Sequence, residues 1–193
     1  MVSPRTSAEY TAPRHAMNPR AERALHSRLD PFPQIRGARW LLRLALSAPF
    51  LAVALVMHGA GDAAAATPNA ALLARVAAID WAHIDAVWLG QIFPPIGTLL
   101  GAVIPGGRLG LAIVGALAAG IFVQKLIEIM VQRHFHRSTS VILTLALTLN
   151  PIFFYTALED LSGFLGLMFF GLAAADVVRF VTWGNTQAGF RSG

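Results

Sequence analysis

The chain contains no cysteine. That absence excludes a disulfide framework, a thiolate metal site and a cysteine nucleophile, so the compartment has to be argued from topology. Lysine is nearly absent as well, with Lys125 the single example, and charged residues of all kinds make up only 13% of the 193 positions. The catalytic and nucleotide-binding signatures of soluble enzymes are missing too: there is no G-x-x-x-x-G-K-[ST], no G-x-G-x-x-G after a strand, no H-E-x-x-H and no G-x-S-x-G. No segment repeats at a fixed period.

What is present is apolar. Hydrophobic residues account for 55% of the chain and the mean hydropathy is +0.59, a balance that points to an integral membrane protein. The formal charge of +5 comes largely from residues 1–39, which hold seven arginines against three acids, together with Pro4, Pro13, Pro19, Pro31 and Pro33. Such a segment cannot bury a core and reads as a disordered basic tail. Its first apolar stretch begins only at Trp40, which does not fit a cleaved secretory signal. Aromatic residues do not alternate with the arginines, so the tail reads as a topology determinant and membrane-surface anchor, with no nucleic-acid partner.

Against the roughly 20 apolar residues needed to cross a hydrocarbon core about 30 Å thick, four stretches qualify: about 40–57, 109–131, 140–157 and 161–183. The expected fold is all-α, a polytopic integral membrane helical bundle of about four transmembrane helices. An outer loop with interfacial helices covers 58–108, and a C-terminal tail covers 184–193. Ile92–Gly107 is too short to span, because about nine residues between Pro95 and Pro105 reach less than half the core. Pro94 and Pro95 can open a helix but not continue one. Arginine-rich segments favour the cytoplasmic side, which predicts a cell-membrane protein with both termini cytoplasmic, "QRHFHR" (132–137) inside, and 58–108 and Glu159–Asp160 outside. Arg43 is placed to snorkel toward the inner surface; Arg108 is the one charge that fits this topology poorly.

Several polar residues interrupt the apolar runs. Gln124, Lys125 and Glu128 occupy the last third of the second span, and Asp176 and Arg179 are three apart in the fourth, a spacing that allows them to neutralise each other. Charges inside a span raise the question of function, but both sets lie close to the expected inner interface. His134 and His136 have no third ligand nearby in sequence. Pro151 predicts a kink in the third span, with Thr144, Thr148 or Asn150 available to satisfy the freed backbone groups. Gly97 and Gly101, with Gly110, Gly115, Gly120, Gly163, Gly166 and Gly171, favour close helix approach. The aromatic residues from Phe153 to Phe170 read as packing or interfacial anchors.

Acidic residues concentrate on the expected outer face: Asp62, Asp80 and Asp85 in the long loop, Glu159 and Asp160 in the short one. Each has a structural reading, since a carboxylate at a helix end solvates the turn and favours the positive N-terminus of the next helix.

The stretches "GDAAAA", "ARVAAIDWAHIDAVWLGQIFPPIGTLL" and "NPIFFYTALEDLSGF", in that order, give a layout that resembles the N-terminal module of the GT-C glycosyltransferases, and a group of actinobacterial membrane proteins of that type. The resemblance covers roughly residues 40–190. It implies a polyprenyl-phosphate sugar as donor, Asp62 as candidate catalytic base with Asp80 or Asp85 as substitutes, and Glu159 and Asp160 as metal ligands for Mg²⁺ or Mn²⁺ beside the donor phosphate. Hard carboxylate oxygens suit those ions, which neutralise charge on a departing phosphate. Members of that superfamily usually carry many more helices, so the chain is expected to be a truncated module without complete catalytic machinery. The alternative is a non-enzymatic multi-pass protein, an assembly or partner subunit among membrane lipids, in which the acidic turns only finish helices. A transporter fragment is a third reading.

Overall fold

The computed structural model describes residues 32–59, 66–82, 90 and 92–183. Asp62 and Asp85 lie outside the described residues. Among those described, seven α-helices and no strands occur. In chain order they are α1 (Arg36–Gly59), α2 (Pro68–Ala78), α3 (Pro95–Val103), α4 (Gly107–Gln132), α5 (Arg137–Thr148), α6 (Pro151–Glu159) and α7 (Leu161–Trp183). The all-α membrane bundle expected from the sequence is the fold found.

Proline and short polar side chains set the helix starts. The Thr67 hydroxyl accepts from the Ala70 N–H at 3.3 Å, with Pro68 in the first turn of α2. Asn150 does the same for α6, its side-chain oxygen accepting from the Ile152 N–H at 2.9 Å ahead of Pro151. Both match the preference for an oxygen-bearing cap before a proline whose missing N–H costs nothing at that position. Pro95 opens α3, which is nine residues long and cannot span.

Three helices are long and apolar enough to cross a membrane: α1, α4 and α7. The pair α5 and α6 qualifies as a fourth if counted as one span broken by a 55° bend. Pro151 causes the bend, and the backbone groups it frees are reused. The Leu147 carbonyl, which loses its partner at position 151, accepts instead from the Asn150 N–H at 3.2 Å, and within α5 the Thr148 hydroxyl adds a bond to the Thr144 carbonyl at 2.8 Å.

Polar contacts fix which helix ends lie together. At one end, Arg108 at the start of α4 pairs with Glu159 at the end of α6, beside His58 at the end of α1. At the other, Arg43 of α1 meets Gln124 of α4. So α1 and α4 run antiparallel, α5 and α6 return the chain to the Arg108 end, and α7 leaves from there. Both α2 and α3 sit at this acidic end.

The centre of the bundle is α4, and small residues let its neighbours close on it. A β-carbon at Gly120 would overlap the Ser47 hydroxyl of α1, and one at Gly115 would overlap the Ala157 carbonyl of α6. Between these contacts Phe50, Phe122, Phe153 and Phe164 form an aromatic core. Phe153 and Phe164 meet edge to face at 5.4 Å, and Phe50 stacks on Phe154 at 4.4 Å.

The Arg43 guanidinium finds partners within the protein. It lies over the Trp40 ring at 4.7 Å, and its Nε donates to the Gln124 side-chain oxygen at 2.6 Å. Gln124, wholly buried, also donates to the Phe32 carbonyl at 2.9 Å and to Glu128 at 3.0 Å, and Lys125 pairs with Glu128. An acceptor already buried in the helix interface wins over solvent, because an unpaired Gln124 oxygen would carry the full desolvation cost.

Since the chain has no cysteine, single introduced cysteines report sidedness cleanly. In membrane vesicles, Ala82→Cys and Ser138→Cys, both at exposed positions, should react with an impermeant maleimide from opposite sides. Labelling of both from one side would break the four-crossing arrangement.

Candidate functional site

The acidic end is assembled around the break between α6 and α7, the residues Leu158 to Leu161. A helix ending here leaves carbonyls without partners, and a helix starting here leaves N–H groups without partners. One side chain meets both needs. Asn69, in the first turn of α2 and 1% exposed, donates from Nδ2 to the Leu158 carbonyl and accepts at Oδ1 from the Leu161 N–H, both at 2.9 Å. These contacts join positions 89 and 92 residues apart and hold α2 against the acidic turn. Sequence reasoning missed Asn69. The only local signal was a helix start at Thr67–Pro68, which says nothing of so distant a partner.

Glu159 and Asp160 are adjacent in sequence but face different partners. Glu159 is buried, and its Oε2 accepts from Arg108 at 3.1 Å. The Asp160 Oδ1 accepts from the Gly163 N–H at 2.9 Å, capping the first turn of α7. The positive end of the α7 dipole favours a carboxylate at that position. Arg108, the charge that fitted the sequence-based topology poorly, is thereby matched. The described residues include no group of three His, Asp or Glu side chains placed to hold a metal ion.

Asp80 is the one described member of the expected catalytic set. It follows the C-terminus of α2, is exposed, and its Oδ1 accepts from the Ala82 N–H at 2.9 Å. Asn69 touches the acidic turn from the opposite end of that helix, nine residues or about 14 Å along the axis before Ala78. The structure therefore brings the start of α2 to the turn that carries Glu159 and Asp160, while Asp80 follows the far end of that helix.

A cavity of about 50 Å³ lies beside the ion pair, lined by Ala54, Met57 and His58 of α1, Arg108 and Ala112 of α4, and Glu159. It combines one guanidinium, one carboxylate and one imidazole with apolar walls. Its volume suits one or two water molecules at about 30 Å³ each and falls well below the roughly 300 Å³ at which small-molecule pockets begin.

At the opposite end, the Asp176 carboxylate accepts from Arg179 at 2.9 Å, so the pairing expected from their spacing is present. Phe153 and Phe164 are core residues and Tyr155 is half exposed, in keeping with packing and anchoring roles.

Asn69→Ala leaves a carbonyl and an N–H unpaired in a buried turn, and should lower stability by about 2–4 kcal/mol, read as a loss in thermal midpoint of the reconstituted protein. Arg108→Met and Glu159→Leu should each destabilise more than the two combined, with a coupling of about 2 kcal/mol in a double-mutant cycle. Comparison of the chain with profiles of known protein families, with curated proteins and with solved structures finds no match.

Proposed function

We propose that this chain is a non-enzymatic multi-pass membrane subunit, an assembly or partner component whose acidic turn joins helices. The observation that carries this reading is the divergence of Glu159 and Asp160. One carboxylate is committed to Arg108 and the other to the first turn of α7. A metal shared by both would have to draw together two side chains that separate partners hold in place.

A second reading keeps the lipid-linked sugar donor expected from the GT-C resemblance. The docking of α2 on the acidic turn through Asn69 favours it, because such a module needs its first outer loop beside its second. In that reading Asp62 is the base, Glu159 and Asp160 hold Mg²⁺ or Mn²⁺ at the donor phosphate, and Arg108 exchanges its carboxylate partner for that phosphate. The cavity of about 50 Å³ must then widen severalfold, which is why the first reading is preferred.

Asp160→Asn separates the two. Asparagine keeps a side-chain oxygen for the Gly163 N–H, so capping survives while the charge is lost. The reconstituted wild-type chain is expected to take up no polyprenyl-phosphate sugar saturably, with or without Mg²⁺, and Asp160→Asn to keep the wild-type thermal midpoint. Saturable, Mg²⁺-dependent donor binding that Asp160→Asn abolishes would overturn the first reading in favour of the second.

A further inference from the structure

At the basic end, α4 and α5 do not close on each other. A groove of about 260 Å³ runs between them, walled by Val123, Leu126, Ile129 and Met130 of α4 and by Leu143 and Leu147 of α5. No residue of α5 is buried, although its length and composition make it half of a span. The gap follows from this loose docking: α5 meets α4 through side chains that stand apart.

The groove's position along the bundle decides what it can hold. Met130 lies three residues before Arg133, and Val123 ten residues before it, which places the groove between about 5 and 15 Å from the loop at 1.5 Å per residue. Half a hydrocarbon core is also about 15 Å. The groove thus extends from headgroup level to near the midplane, the depth of an acyl chain in that leaflet. A volume of about 260 Å³ is enough for one acyl chain. The groove's Met130 end lies nearest the loop 132–137, where Arg133, His134, His136 and Arg137 are exposed and Phe135 is half exposed. Among the residues of this loop there is no acid.

We infer that the α4–α5 groove seats one acyl chain of an anionic phospholipid from the leaflet at the basic end, with its phosphate held by Arg133 and Arg137. Charge complementarity selects the headgroup, since each arginine near a membrane surface favours an anionic lipid. Apolar walls accept the chain without selecting its length. This site is at the far end of the bundle from Glu159 and does not depend on how the acidic turn is read.

The test uses the full chain in phosphatidylcholine nanodiscs containing a phosphatidylglycerol with a diazirine midway along one acyl chain. After illumination, adducts should concentrate at Ile129, Leu143 and Leu147 rather than at the exposed Val177 and Phe180 of α7. Excess phosphatidylglycerol should compete and excess phosphatidylcholine should not. Arg133→Gln and Arg137→Gln should each lower adduct yield about fivefold, and Leu147→Trp, which fills the groove, should abolish it while the helical content by circular dichroism stays unchanged. Even labelling of α5 and α7, or indifference to headgroup charge, would overturn the proposal. So would absence of adducts at Leu143 and Leu147, the result expected if a second copy or a partner helix covered the groove.

Discussion

The acidic end depends on one primary amide. Asn69 supplies a donor and an acceptor on the same small group, and the α6–α7 break needs one of each. Aspartate could only accept, and serine would not reach across two backbone strands of a turn with both functions. A buried backbone group left unpaired costs about 1–3 kcal/mol, so a helix break buried within the protein is tolerable only where a side chain satisfies it. Once α2 is held there, Thr67 caps its start and Arg75 near its end donates to the Phe93 carbonyl at 2.9 Å, tying the approach to α3. The segment from α2 to α3 is thereby ordered from a single contact.

The same break explains how two neighbouring carboxylates coexist. Side by side they would repel, but Asp160 leaves the helical conformation at φ −136° and ψ 70°, which sends the two side chains to separate partners. A guanidinium receives one and a helix N-terminus the other. An acidic pair in an apolar chain reads as a ligand set when only its sequence is visible. The turn gives each carboxylate a structural partner of its own.

Features set by local chemistry were legible in the sequence. Apolar length marked the spans, Pro151 marked the bend, and Pro94–Pro95 marked a short helix that does not cross, because each of these acts through its own backbone. The pairing of Asp176 with Arg179 was legible for the same reason, being one helical turn apart. Partners chosen by tertiary packing were not. Arg43 was visible as a charge near the start of its span, but its bond to a Gln124 oxygen depends on Gly120, which lets α1 and α4 approach closely. Arg108 and Glu159 were both visible as charges, but 51 residues separate them, and no periodicity connects the two positions.

The distribution of polar groups along α4 gives the bundle its register. Of its apolar window 61% is buried, against 17% for α1 and for α7, so α4 is the axis on which the others pack. Its middle is lined with alanine and glycine, which fit almost any neighbouring surface and so specify little by themselves. Specification comes from its two ends. Arg108 must face Glu159 of α6, while Gln124, which also bonds Glu128 of its own helix, must face Arg43 of α1 and the backbone of Phe32. A slip of one residue turns a helix by about 100°, which would break both polar sets together and leave buried charges unpaired, a far larger penalty than any loss among the small apolar contacts. Helix α5 lines its groove against α4 with apolar side chains and buries none of them. It is therefore the element whose spacing from α4 is least determined by protein, and whose packing is left to whatever the membrane provides.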